Sequence, residues 1–383
     1  MIRTVGLLMT IAVAILCCSA CNVADAEHSA AQSPPVLASY PDQPACRVKS
    51  VEKMPTTFES FTASPFGVWT ATRYDGNGVN QVYTTKLGSG RFTCITCTRR
   101  PGAPGVDRNK FMVNWHPSGQ WLTLAVEKDD HDWAWLPQSW QRGFLQTGVW
   151  MNMWITTAAG DRWYQMTDFK KPDHGPRDGY TGVAFTADGR KAVWAEIVDG
   201  NVFVNAFGIW RLYIADFHVG PDGAPHFVNK RDITPAGAKW VEAGNFSPDG
   251  KHLLLSADIG IDDARGQDQW SMDIETGVLQ NLTNTPKVWD EHGLYSPSGR
   301  KISFMSSYPY REEPDAYKTF SLKTEFMLMD ADGRHLQQLT HFNRPVILNP
   351  KIAGRWPRQR GLLATARSYM LSSWARISSV AVG

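Results

Sequence analysis

Phe246-Ser247-Pro248-Asp249-Gly250 is the clearest copy of the phrase that decides the fold of this chain. An aromatic residue leads, a hydroxyl and a proline follow, and a glycine turn delivers the chain into an apolar strand. The phrase returns as Trp115-His116-Pro117-Ser118-Gly119, Phe185-Thr186-Ala187-Asp188-Gly189 and Tyr295-Ser296-Pro297-Ser298-Gly299, with a weaker first copy at Ala63-Ser64-Pro65-Phe66-Gly67. Repetition at intervals of roughly 50 to 70 residues is the signature of a propeller or solenoid.

Each unit continues in the same way. An alternating strand follows the glycine, at Gln120 to Val126, Lys191 to Ile197, Lys251 to Ala257 and Arg300 to Ser306. After a loop comes a second run with an aromatic or apolar lead, such as Trp210-Arg211-Leu212-Tyr213-Ile214 or Phe326-Met327-Leu328-Met329. A tight turn follows (Ala159-Gly160-Asp161, Glu275-Thr276-Gly277, Ala331-Asp332-Gly333), and the unit closes on an apolar residue plus Thr: Ile95-Thr96, Met166-Thr167, Ile233-Thr234, Leu282-Thr283, Leu339-Thr340. Period-2 runs bounded by Gly, Asp, Asn and Pro are short antiparallel strands, and four per repeated unit make a propeller blade. The chain is therefore expected to be all-β, a single β-propeller.

This order of phrases resembles the TolB-type (WD40-like) propeller repeat, over roughly Ser64 to Phe342. The S-P-D-G turn joins the first and second strands, and the apolar-Thr pair ends the fourth. TolB proteins carry an α/β domain ahead of the propeller, which the stretch from Cys46 to Thr62 is too short to hold. The resemblance is to the repeat, and TolB's role in an envelope-spanning complex is not carried over. Five clear copies leave a sixth to find: Trp356-Pro357, Gly361 to Ala364 and Trp374 to Val382 read as a degraded blade, its fourth strand supplied by Arg47 to Val51. The expectation is about six four-stranded blades, closed by the N-terminal strand so that no sheet edge is left open. Against it, Arg355, Arg358, Arg360, Arg367 and Arg376 crowd this tail and its motif is nearly lost.

A single repeat domain can fill 383 residues, and a formal net charge of +2 gives no reason to expect nucleic acid, whose binding leans on clustered Lys and Arg. Residues 1–21 read as a signal peptide, with Arg3 as the basic head and Val5 to Leu16 as an apolar run too short to span a membrane. Ser19-Ala20-Cys21 resembles a bacterial lipobox with Cys21 lipidated, although Cys18 stands where Leu is usual; Ala24-Asp25-Ala26 is the alternative cleavage site. Both exits export the protein, to the periplasm or an outer-membrane anchor, or else as a secreted form. Residues 22–45, rich in Ala, Ser and Pro, read as a tether, and 46–383 as the propeller. In an exported protein Cys46, Cys94 and Cys97 are disulfide candidates, paired either as Cys94–Cys97 or as Cys46 with one of them.

In such blades the first-to-second and third-to-fourth turns share one face, and here they are tight. The long segments Lys128 to Gly148, Val198 to Gly208, Gly260 to Gln269 and Ser307 to Thr324 share the other, which makes that face the working one. Trp133, Trp135, Tyr308 and Tyr310 offer ring planes there, suited to sugars, cations or peptides; packing of loops onto the disc would use the same rings. Four residues before the blade aromatic stand Glu242 and Glu291, with Thr181 at the equivalent place in the preceding blade, and Asp290, His292 and Asp178 nearby. Equivalent positions converge on the central channel. Two carboxylates and a His there can bind a metal, act as an acid/base pair or hold an amine; a solvated polar channel mouth needs no ligand. His116 stands where the repeat has Ser and reads as structural.

No G-x-S-x-G elbow, phosphate loop or H-E-x-x-H occurs. The expected role is non-catalytic recognition of an envelope protein, peptide or glycan by a monomer without cofactor, touching the membrane only through its lipid. The alternative is an oligosaccharide lyase or hydrolase at the channel mouth assisted by a divalent metal. Oligogalacturonate lyases resemble this architecture and hold a metal through His and its neighbours, but their ligands do not map onto this sequence. An enzyme predicts Glu242, Glu291 and His292 meeting around one cavity; a binder predicts an open aromatic surface with those groups apart.

Overall fold

The computed structural model describes residues 11–14, 50–53, 60–86, 89, 91–129, 138–169, 178–199, 208–262, 266–313 and 322–343, of which 11–14, 50–53, 60–61 and 138–140 are described in backbone only. Five four-stranded antiparallel sheets follow one another along the chain, each with its strands in sequence order. Blade 1 is built from Ser60–Ala63, Val68–Tyr74, Asn80–Lys86 and Thr93–Cys94, and blade 2 from Lys110–Trp115, Trp121–Glu127, Met151–Thr157 and Trp163–Gln165. Blade 3 uses Ala184–Phe185, Lys191–Asp199, Ile209–Val219 and Pro225–Asp232. Blade 4 uses Val241–Phe246, His252–Ala257, Asp268–Asp273 and Leu279–Asn281, and blade 5 Asp290–Tyr295, Lys301–Ser306, Glu325–Asp330 and Gln337–Gln338.

The expected number of about six blades is corrected to five among the described residues. Ser50–Lys53, which overlaps the strand expected to close a sixth blade, pairs instead with Ile11–Ala14 in a separate two-stranded sheet. The tail expected to supply the rest lies outside the described residues, and its sequence has lost the aromatic–Ser–Pro–Gly phrase that opens the observed blades.

That phrase makes a hydrogen-bonded turn. The glycine N–H donates to the carbonyl three residues back, from Gly119 to His116, Gly189 to Thr186, Gly250 to Ser247 and Gly299 to Ser296, each at 2.8 Å. All four glycines sit at φ between 69° and 73°, where a side chain would be strained. The hydroxyl at the second place accepts from the second strand's backbone, as in Lys191 N–H to Thr186 Oγ1 (3.1 Å) and His252 N–H to Ser247 Oγ (2.9 Å).

The closing apolar-Thr pair is a clasp. The Thr hydroxyl accepts the backbone N–H of one third-strand residue, and the apolar residue's N–H returns to that same residue's carbonyl. Val82 is held this way by Ile95-Thr96, Met153 by Met166-Thr167, Leu212 by Ile233-Thr234, Gln269 by Leu282-Thr283 and Phe326 by Leu339-Thr340. In four of them the Thr O–H is donated onward to a polar residue at or near the start of the third strand: Gln81, Asn152, Asp268 or Glu325.

Between turns and clasps the second strands carry the core, with Leu122, Leu124, Val193, Leu253, Leu255, Ile302 and Phe304 fully or almost fully buried. Each such side chain contributes about 1.5–3 kcal/mol by leaving water. The segments joining second and third strands are long in blades 2 to 5 and short in blade 1 (Asp75 to Val79). In blade 2 this segment contains a helix, Gln138–Gln146, where the sequence had suggested only an irregular loop. No helix among the described residues is long and apolar enough to cross a membrane.

Candidate functional site

Innermost strands line the axis of a propeller, and here those of blades 2, 4 and 5 share a bulge. Pairing with the second strand slips between Phe111 and Asn114 in blade 2, Ala243 and Phe246 in blade 4, and Glu291 and Leu294 in blade 5. Side chains of successive strand residues normally point to opposite faces. In blade 5 the bulge, with His292 at φ 57°, cancels that divergence and lets His292 turn back onto its neighbour Glu291.

Three sequence-selected residues meet there. His292 Nδ1 lies 3.5 Å from Glu242 Oε2, and Nε2 lies 3.5 Å from Glu291 Oε2. One nitrogen of His292 and one oxygen of each carboxylate lie within 4.8 Å of one another. Their side chains are 11–15% exposed, sheltered yet reachable. Glu242 pairs with Ser256 and Glu291 with Met305, near the ends of second strands, so the cluster sits at the end of blades 4 and 5 from which the long segments leave. Trp289 Nε1 donates to Glu291 Oε2 at 2.8 Å and fixes that carboxylate.

Burial pushes Glu242 up to about 7; the charge of Glu291 adds to the rise and His292 opposes it. Burial alone would lower His292, but the carboxylates of Glu291 and Glu242 outweigh it and hold the imidazole above its usual value. Among the described residues no Lys or Arg pairs with either carboxylate.

The other candidates lie elsewhere. Asp290, adjacent to Glu291, is fully buried and accepts from Thr285 Oγ1 at 2.6 Å. Burial pushes it up to about 7, with the nearby charge of Asp268 adding and the hydroxyls of Ser306 and Thr285 opposing. Asp178 forms a buried ion pair with Lys128, Oδ2 to Nζ at 2.7 Å. Tyr310 is buried with its hydroxyl donated to Glu325, and Tyr308 lies under the Arg311 guanidinium at 4.2 Å from the ring centre. Tyr310 is thus engaged by the third strand of blade 5 and Tyr308 by its own segment. Trp133, Trp135, Cys21 and Cys46 lie outside the described residues. Cys94 and Cys97 are joined to each other. His116 bridges two turns, Nδ1 to Ser118 Oγ and Nε2 to the Gly189 carbonyl.

One feature escaped the sequence reading. The row of paired residues through Glu242 continues to Ser256 and Gln269. Its counterparts are apolar beyond the innermost strand: Phe111–Ala125–Met153 in blade 2, Ala195–Leu212 beside Thr181 in blade 3, and Met305–Phe326 beside Glu291 in blade 5. Gln269 Nε2 donates to Ser256 Oγ (2.7 Å) and to the Asp290 carbonyl (2.8 Å), tying this polar row to the strand that bears Glu291. Aligning the repeats at their clasps, which places Gln269 beside Met153, Leu212 and Phe326, would have exposed it.

The chain matches no protein-family model and no curated protein. Among solved structures it is similar to a TolB-type protein of Agrobacterium tumefaciens, at 16% identity and TM-score 0.50, covering 76% of this chain and 83% of that one. TolB of Acinetobacter baumannii aligns at 16% identity and TM-score 0.47, over 76% of this chain and 57% of that one. A puromycin hydrolase aligns at 13% identity and TM-score 0.45, over 73% of this chain and 38% of that one. At these identities the likeness is one of fold: the chain has a TolB-like propeller.

Proposed function

We propose that this TolB-like propeller is a recognition module of the cell envelope that receives a protein, peptide or glycan ligand at the loop-side mouth of its channel. Glu242, Glu291 and His292 form the charged centre of that site. The observation that carries the reading is their meeting, from two adjacent blades, at positions that blades 2 and 3 give to Phe111 and Thr181. Such a cluster is not a requirement of the repeat, since other blades close without it. Export rests on the N-terminal sequence, with its apolar run ahead of Cys21.

The meeting of these three is also what a catalytic site requires, and the displacement of Glu242 to about 7 suits a general acid. Binding is favoured by the position of the imidazole. Each ring nitrogen faces a carboxylate at 3.5 Å, so the imidazole is engaged within the cluster on both sides. The test exposes the immobilised protein to peptide and glycan arrays beside a Glu242→Gln/Glu291→Gln variant of unchanged circular dichroism. Ligands retained by the wild type, lost by the variant and recovered with unaltered mass support recognition. Equal retention by the variant removes the site, and cleaved ligands replace recognition with catalysis.

A further inference from the structure

We propose that Glu242, Glu291 and His292 form a binding site for one first-row divalent transition-metal ion, of the zinc or manganese class, which anchors a carboxylate or carbonyl oxygen of the ligand. This rests on the reading of the channel mouth as the recognition site.

The donor set fits such an ion. An ion bound tetrahedrally at about 2.0–2.1 Å has ligand atoms about 3.4 Å apart. Whichever ring nitrogen ligates, one of its carboxylate partners is already 3.5 Å away, and the three donor atoms of a single centre fall within 4.8 Å, so a contraction of at most roughly 1.4 Å closes the site. An imidazole among two carboxylates selects against calcium and magnesium, which take oxygen ligands. Three protein donors leave a position open for an oxygen of the incoming molecule, as in zinc sites that act on ligands rather than staple a fold.

The surroundings supply a second, independent observation. Gln269 is completely buried, and its Oε1 has no hydrogen-bond partner among the described residues. Both protons of its amide are spent on Ser256 Oγ and the Asp290 carbonyl, which fixes the orientation and leaves Oε1 as a bare acceptor. That oxygen lies over Gly293, the residue after His292, so closely that a Cβ there would stand 1.8 Å away. Gln269 shares its row with Glu242 and stands over the residue after His292, so an uncompensated acceptor borders the cluster. An unpaired buried acceptor costs about 1–3 kcal/mol, and blades 2, 3 and 5 avoid it with Met153, Leu212 and Phe326 at the same place. A cation, or water ordered around one, removes that cost. Trp289, by holding Glu291 Oε2, supplies the outer-shell support that orients a ligating carboxylate.

The experiment uses the full chain stripped with EDTA and titrated calorimetrically with zinc chloride, manganese chloride and calcium chloride separately, with bound metal counted after dialysis. The wild type is expected to take up one equivalent of zinc or manganese and no calcium. Glu242→Gln and His292→Asn are expected to weaken uptake at least tenfold; Asn tolerates the positive φ of position 292, so the second variant keeps the backbone. Folded wild type that takes up neither ion, or variants that bind as tightly as wild type, overturn the metal site. The array experiment separates the two levels. Ligand capture that needs Glu242 and Glu291 but persists in EDTA refutes the metal and leaves the recognition site standing. Metal uptake at these residues with ligand capture indifferent to them refutes the recognition site and the anchoring role while the ion site stands.

Discussion

Gly244→Ala should separate blades 4 and 5 where the backbones of their innermost strands meet. A Cβ on Gly244 would stand 2.2 Å from the Gly293 carbonyl oxygen and 3.1 Å from the Leu254 carbonyl oxygen. Both obstacles are backbone and no side-chain rotation relieves them. Ordinary contact needs about 3.4 Å, so the innermost strand of blade 5 must retreat by roughly 1 Å, an overpacking strain of about 2–3 kcal/mol. For a domain of this size 1 kcal/mol lowers Tm by about 2 °C, which gives a fall of about 4–6 °C by scanning calorimetry. The same retreat widens the gap between Glu242, on the strand of Gly244, and His292, on the strand of Gly293, so zinc affinity should fall as well. Gly76→Ala is the control, since a Cβ there meets nothing within 4 Å. A Gly244→Ala protein melting within 1 °C of wild type (about 0.5 kcal/mol) would refute the close packing of the two strands.

The contribution of Asp290 to stability should fall from acid to neutral pH. A carboxylate raised from 3.8 to about 7 on folding contributes stability that is complete below pH 3.8 and lost as pH rises through 7, on the order of 4 kcal/mol. Glu242 and His292, also raised, act in the same sense. Asp290→Asn in metal-free protein should therefore match wild type near pH 4 and exceed it at pH 8 in urea melts; parallel curves would show that the site stays ionised. Cys94→Ser/Cys97→Ser removes a cross-link spanning three residues, a loss of about 2 kcal/mol by loop entropy, read as a lower urea midpoint. Lys128→Met leaves the Asp178 charge buried at a cost of about 3–5 kcal/mol, while Lys128→Met/Asp178→Leu should recover much of it. Equal destabilisation by both variants would show packing, not charge, to be what Lys128 supplies.

Much of this architecture was legible because the repeat's markers are local. The glycine of Phe246-Ser247-Pro248-Asp249-Gly250 is needed by a turn closed within four residues, and Leu282-Thr283 grips a strand fourteen residues or fewer away, so both leave a sequence trace. Counting back from the blade aromatic reached Glu242 and Glu291 for the same reason. The same offset in the first copy falls on Glu59, outside the described residues. What failed depended on packing between distant segments. Asp290 and Glu291 are adjacent in sequence, yet one turns to Thr285 and the other to His292, and the bulge that decides this has no sequence signature beyond a histidine before a glycine. Tyr310 gives its hydroxyl to Glu325 at the start of the third strand, a partner that nothing local in the sequence announces. The sixth blade rested on degraded traces at Trp356-Pro357 and Gly361 to Ala364 and on the need to close a ring, without an intact phrase.

The turn glycines also take part in how blades join. The position where a Cβ would sit on Gly119 is 2.4 Å from the ring of Phe66, one turn earlier; on Gly189 it is 2.4 Å from His116, on Gly250 3.8 Å from Thr186, and on Gly299 3.1 Å from Pro248. Each turn thus presents a bare glycine to the turn before it and a side chain to the turn after it. Both halves of the fastening are written in the same five residues. A blade copied or deleted whole carries its own coupling at either side, so the ring can change its number of blades in one genetic event without new joints having to evolve. Charged chemistry such as that of Glu242 and His292, placed at the other end of the disc, can then diverge blade by blade while the coupling stays constant.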